Sequence, residues 1–241
     1  MVIKGILFDK DGTLIRFKEI WIQIIYSIID DLLTLRNEVN NEELRSKLAE
    51  SIGLYGEEID EKGFLASGTT LDIATQFNRV LSKEAPGVFP LVAKMLHTKT
   101  KEKKDSILPT CDLQKALSIF KEKEIVMGVA TSDDYESTKV CIQQIGIDEY
   151  IDFIGTGDRY NKKPDPEVLN VFCEQFGIKP EEVLVVGDTI CDMKLSINSK
   201  SAGGVGVLSG VGSKETLGEL AKYIIPSIEE MINENGKFIW E

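Results

Sequence analysis

The sequence predicts an α/β fold, a doubly wound parallel sheet carrying an inserted α-helical domain. Three observations support that expectation. Six short apolar runs read as buried strands. From the second run onward, helix-length segments alternate with them. Between the first two runs lies a long interval with helical patterning and no convincing strand.

The first strand is expected at residues 2–8, an apolar run interrupted by Lys4. The interval that follows has apolar residues at helical spacing over 19–35, 42–54, 71–81 and 88–96, with breaks near Asn40, Gly63, Gly68 and Pro86. Residues 99–104 hold four lysines and one glutamate, which fits a solvated helix end or hinge. The remaining strands are expected at 125–131, 151–156, 183–187, 204–208 and 223–225. Helices are expected at 113–123, 136–145, 167–176, 193–199, 214–222 and 228–235. Continuous apolar runs, rather than alternating ones, suit strands covered on both faces. The two boundaries fall at Ile15 and Pro109, giving a core of residues 1–14 and 108–241 and a helical cap of residues 15–107.

Composition narrows the function. The 241 residues are 42% hydrophobic, enough for a core, and carry a net charge of −12. That charge opposes the phosphate attraction on which nucleic-acid binding depends. Four dispersed cysteines and one histidine, His97, argue against a zinc site or a disulfide framework. No apolar stretch resembles a signal segment or a membrane span, so a cytoplasmic protein with no nucleic-acid or membrane partner is expected. Nothing in the sequence fixes an oligomeric state.

In open parallel sheets, ligands bind beyond the carboxyl ends of the strands. The residues there form a consistent set: Asp9-Lys10-Asp11-Gly12-Thr13-Leu14, then Thr131-Ser132-Asp133-Asp134, then Lys162-Lys163-Pro164, then Gly187-Asp188 through Asp192. Like charges about 4 Å apart repel by roughly 4 kcal/mol at an effective dielectric of ~20. Asp9, Asp11 and Asp188 brought together therefore call for a cation, and oxygen-only donors suit Mg²⁺. A carboxylate beside that ion can attack phosphorus, which makes Asp9 the candidate nucleophile. Asp11, two residues on, returns to the same face and is the candidate general acid. Lys163 supplies positive charge to the nucleophile and the transferring oxygens. Thr131 and the backbone N–H groups of Ser132 and Asp133 are expected to hold those oxygens at a helix start. Asp188 is expected to bind metal, with Asp192 supporting Lys163 or metal-bound water.

With these residues in this order, the chain resembles the haloacid dehalogenase-like hydrolases, whose four ordered motifs Asp9-x-Asp11-Gly-Thr-Leu, Thr131, Lys163-Pro164 and Gly187-Asp188-x-x-x-Asp192 look like. The resemblance implies a Rossmann-like core, Mg²⁺ and an aspartyl-phosphate intermediate. It implies metal ligands from the side chains of Asp9 and Asp188 and the backbone carbonyl of Asp11. The insert resembles the helical cap of the phosphoglycolate phosphatase and β-phosphoglucomutase branch, which closes over small soluble phosphomonoesters. The expected function is therefore a Mg²⁺-dependent phosphatase of a small phosphorylated metabolite, phosphoglycolate-like or a sugar phosphate. The alternatives are a phosphomutase and, from another class, a phospho-aspartate interaction module. Departures from the common pattern at Ser132, Arg16-Phe17 and Ser199-Lys200 bear on the substrate rather than the chemistry.

Other residues have plainer expectations. Asp133 and Asp134 are expected to cap the next helix, and Asp165 to cap the one after Pro166. Lys162 and His97 are expected at the surface, Gly204, Gly206 and Gly210 in turns, and Trp21, Phe64 and Phe77 in the cap core. Lys18, Arg79 and Lys83 are possible anion contacts that nothing in the sequence singles out.

Overall fold

The computed structural model describes residues 2–82 and 87–241, with Glu19 described through its backbone only. Lys83 and Pro86 lie outside the described residues.

Six parallel strands form the main sheet: β1 (Gly5–Phe8), β4 (Val126–Ala130), β5 (Phe153–Gly155), β6 (Val183–Gly187), β7 (Gly203–Val207) and β8 (Tyr223–Ile225). Their spatial order is β5-β4-β1-β6-β7-β8. All six expected strands are present, each within a few residues of its predicted limits. The Gly5-Ile6-Leu7-Phe8 run is buried throughout, because β1 lies between β4 and β6 and is covered on both faces. Chain order reverses around β1, which opens a crevice at the carboxyl ends of β1, β4 and β6.

Helices α6 (Leu113–Glu122), α7 (Tyr135–Gln144), α8 (Glu167–Phe176), α9 (Ile190–Asn198) and α10 (Lys214–Gly218) connect the strands. α8 stops at Gly177, whose φ of 63° provides the left-handed end that other residues resist. The helix expected at 228–235 is instead a short 3-10 turn, Ile228–Met231. The Asn233 side chain accepts from the backbone N–H groups of Asn235 and Lys237, building a turn that competes with helix. Ile232 and Phe238 then pair across it, and Phe238 stacks on Trp240 at 4.4 Å.

Between β1 and β4 the chain forms α1 (Phe17–Leu35), α2 (Glu42–Ser51), α3 (Phe64–Ser67), α4 (Thr70–Val80) and α5 (Phe89–Glu102). In α1, Ile20, Trp21, Ile24, Ile25, Ile28, Ile29, Leu32 and Leu33 recur at helical spacing and are all buried. Each such side chain contributes roughly 1.5–3 kcal/mol on leaving water. This stripe, rather than caps, stabilises the helix, since its N-cap Arg16 makes no side-chain capping bond. The expectation of no strand here is corrected by a two-stranded hairpin, β2 (Leu54–Tyr55) with β3 (Glu58–Ile59). It turns at Gly56 with φ 65° and is too short to show alternation in the sequence. The outgoing and returning chains run side by side, where Ile15 pairs with Pro109 and Arg16 N–H donates to the Leu108 carbonyl at 2.9 Å. The lysine-rich stretch ends α5, and Lys99 leaves solvent to reach Asp31 at 2.6 Å and Ser27 at 2.7 Å.

Candidate active site

The loops after β1, β4, β5 and β6 bring the expected residues together. Asp9, Asp11, Thr131, Ser132 and Lys163 line one cleft, and Asp188 and Asp192 are buried beside it.

Lys163 is the hub. Its ammonium donates to Asp9 Oδ1 at 2.5 Å, Asp192 Oδ1 at 2.7 Å and the Ala130 carbonyl at 3.0 Å, so all three protons are placed. Burial works against its charge, but Asp192 and Asp9 outweigh it and hold the ammonium protonated well beyond its usual range. Asp192 is oriented in turn by its other oxygen, which accepts from Thr189 N–H at 3.0 Å and Thr189 Oγ1 at 2.6 Å in a capping box that starts α9. Gly187 allows this, because a Cβ there would fall 2.2 Å from Asp192 Cγ.

Asp9 and Asp188 are crowded. Burial, with Asp192 and Asp11 nearby, pushes the Asp9 carboxyl up to about 7 despite Lys163. Burial and the neighbouring Asp9 and Asp192 raise Asp188 well above the carboxylate range. One oxygen from each of Asp9, Asp188 and Asp192 lies within 4.8 Å of the other two. With Lys163 serving Asp9 and Asp192, the hydrogen-bond donors of Asp188 among the described residues are the Val211 N–H at 2.7 Å and the Thr13 hydroxyl at 3.4 Å. Such a buried, under-compensated, all-oxygen set fits a hard divalent cation such as Mg²⁺. Two glycines leave space around it: a Cβ on Gly12 or Gly210 would fall 2.4 Å or 1.9 Å from Asp188 Oδ2. Gly12 also takes φ 79°, which a side chain would resist. When bound, the cation would neutralise the carboxylates and polarise a phosphoryl oxygen.

Several assignments change. Trp21 is buried in the cap core as expected, but it also lines the cleft and donates from Nε1 to Asp11 Oδ1. Lys10, inside the first motif, is completely buried, 2.7 Å from Asp11 and 3.1 Å from Asp133, with its ammonium 5.0 Å from the Trp21 ring. Burial opposes that charge, yet Asp11 above all keeps Lys10 firmly protonated. Asp133 is thus an ion-pair partner and not a cap, and Asp134 accepts from the Thr70 hydroxyl at 2.9 Å without capping α7. The Asp133 N–H, expected to meet phosphoryl oxygens, donates to Thr131 Oγ1 at 3.2 Å, and α7 begins only at Tyr135. Ser132 Oγ crosses to the Ser67 carbonyl at 3.1 Å. Gly204 and Gly206 lie within β7 rather than in turns. His97 is half-buried with its Nδ1 enclosed, and Phe64 is exposed, whereas Phe77 is core as expected. Asp165 accepts from Glu167 N–H at 2.9 Å as a cap, and Lys162 is half-exposed and pairs with Asp72 at 2.8 Å.

Fold and site define a class of enzyme: a Rossmann-like α/β hydrolase with a buried cluster of carboxylates around a lysine at the end of its central strand. The chain matches the haloacid dehalogenase-like hydrolases over residues 6–203 and belongs to that family, as an enzyme of its phosphatase type. An N-acetylmuramic acid 6-phosphate phosphatase of Pseudomonas aeruginosa is 25% identical over 195 residues, covering 80% of this chain and 77% of that one. A pyrophosphatase PpaX of Bacillus cereus is 26% identical over 195 residues, covering 80% and 78%. Among solved structures, CbbY from Rhodobacter sphaeroides in complex with phosphate superposes with a TM-score of 0.70 at 17% identity, covering 98% of this chain and 99% of that one. No described helix is long and apolar enough to cross a membrane.

Proposed function

We propose that the protein is a Mg²⁺-dependent phosphatase of a small phosphomonoester, acting through an aspartyl-phosphate on Asp9, with residues 15–107 serving as the cap over the site. The observation behind this reading is the Lys163 hub: one buried ammonium fixed between Asp9 and Asp192, with Asp188 directly alongside. Asp9 and Asp188 would hold the metal, together with the Asp11 carbonyl that the family likeness implies.

An Asp9 oxygen attacks phosphorus while Lys163 keeps its carboxylate oriented and offsets charge gathering on the transferring oxygens. The Thr131 hydroxyl and the backbone N–H of Ser132, on the cleft wall, bind those oxygens. Asp11 gives a proton to the departing alcohol oxygen and takes one from the water that later attacks phosphorus, so both half-reactions use one group. Trp21 and Lys10 fix where that group sits. The segment 15–107 supports the cap reading because Trp21, Ser67 and Thr70 reach the loops of the core from it. The names of the relatives, a sugar-phosphate phosphatase and a pyrophosphatase, agree on phosphate release and differ on the leaving group. A phosphomutase would have to anchor a second phosphate, and among the described lining residues Lys163 is the sole cation, which favours hydrolysis.

Purified protein given a broad panel of phosphomonoesters is expected to release phosphate only when Mg²⁺ is present, with chelation abolishing turnover and Mg²⁺ restoring it. Release that persists under chelation would contradict the proposal.

A further inference from the structure

We infer that the alcohol released at this site is compact and uncharged, with a mainly carbon surface. This rests on the phosphatase reading above and narrows it to a substrate class. The far wall of the cleft is built by Phe17, Trp21, Leu65, Ala66, Ile73 and Leu96, apolar surface standing opposite the carboxylates of the core. Three polar groups on that side are already committed: Thr70 donates to Asp134, Trp21 donates to Asp11, and the Ser67 carbonyl accepts from Ser132.

Charge points the same way. Asp9, Asp11 and Asp133 line the cleft against Lys163, the one cation among its described lining residues. All three protons of Lys163 are engaged, Lys10 is enclosed behind the Trp21 ring with Asp11 and Asp133, and Lys162 is paired with Asp72. A divalent cation and Lys163 can serve one phosphoryl group. A second anion on the leaving group would lie on hydrocarbon, near Asp11 and Asp133, without a partner, which is an expensive way to bury charge. The free space, about 50 Å³, holds a few water-sized groups, enough for a phosphoryl group and little beyond it.

The test compares kcat/KM for 2-phosphoglycolate, its uncharged amide, propyl phosphate and inorganic pyrophosphate, all with Mg²⁺. The two esters with uncharged leaving groups are expected to exceed the two probes with anionic leaving groups by about tenfold or more, the size of one unfavourable charge placement. The Ala66→Lys variant, which adds an ammonium at a half-exposed point of the wall, is expected to close the gap between glycolate and amide by about tenfold. Equal or better turnover of the anionic probes, or an unchanged ratio in A66K, overturns the inference and leaves the phosphatase reading standing. Silence toward every probe removes the phosphatase reading, and the inference falls with it.

Discussion

At the scale of single residues, the chemistry depends on side chains placed within tenths of an ångström, and much of that placement is done by residues with no chemistry of their own. Gly210 is the clearest case. Its sequence context suggests a turn, but its Cα lies so close to Asp188 that a methyl group would overlap Oδ2 at 1.9 Å. Gly210→Ala is therefore expected to displace Asp188 and weaken Mg²⁺ affinity by at least about tenfold, as loss of support for a metal ligand does, while leaving the circular dichroism spectrum unchanged. Titration calorimetry with Mg²⁺ measures this, and an unchanged affinity would mean that Asp188 is not a ligand. The meeting of Asp9, Asp11, Thr131, Lys163, Asp188 and Asp192 around one crevice was legible because the segments that carry them follow apolar strands, where polar and charged groups need a reason to be. Lys10 and Trp21 were not. A lysine within a motif reads as solvated until three-dimensional packing seals it between Asp11 and Asp133, and a tryptophan on an apolar helix stripe has the same spacing whether it meets core or cleft.

At the scale of elements, α1 and the α5–α7 contact deliver residues 15–107 to the site. Trp21 on α1 links that helix to Asp11. Trp21→Phe keeps an aromatic ring beside Lys10 and deletes the N–H together with part of the indole. It is expected to lower kcat by about ten- to a hundredfold with KM changed less than about threefold, the pattern of a lost positioning contact. A KM change that dominates would instead make Trp21 a substrate contact. Where α5 faces α7, His97 Nδ1, Thr100 Oγ1, Ser137 Oγ and Thr138 Oγ1 are buried with no partner among the described residues. Asp134, at the start of α7, is pushed up to about 6, first by burial and then by Asp133. Because its folded-state value is raised, Asp134 carries a penalty that is absent below 3.8 and fully present above about 6. Asp134→Asn keeps an acceptor for Thr70. It is expected to match the parent at pH 4 and exceed it at pH 7.5 by roughly 1 kcal/mol, after allowing for solvent screening. Thermal melts across this range decide it, and a constant offset would place the effect elsewhere. Strands and long helices were visible through their periodicity, whereas the β2–β3 hairpin and the Asn233 turn depend on local glycine and asparagine geometry that spans too few residues to form a period.

At the scale of the whole molecule, a sheet order that reverses at β1 and an insertion that leaves and returns beside Ile15 and Pro109 bring distant stretches of chain to one crevice. That convergence was legible in outline from four ordered motifs, but the apolar character of the opposing wall was not, since it arises only when α1, α3, α4 and α5 face the core loops. Everything chemical in the account turns on Asp9 forming a covalent bond to phosphorus. The most direct measurement is an acid quench during steady-state turnover with Mg²⁺, followed by hydroxylamine treatment and peptide mass spectrometry. A hydroxamate is expected at Asp9, abolished in Asp9→Asn together with roughly 10⁴-fold or more of kcat. Undiminished phosphate release by Asp9→Asn, with Asp9 never labelled in the parent, would contradict it.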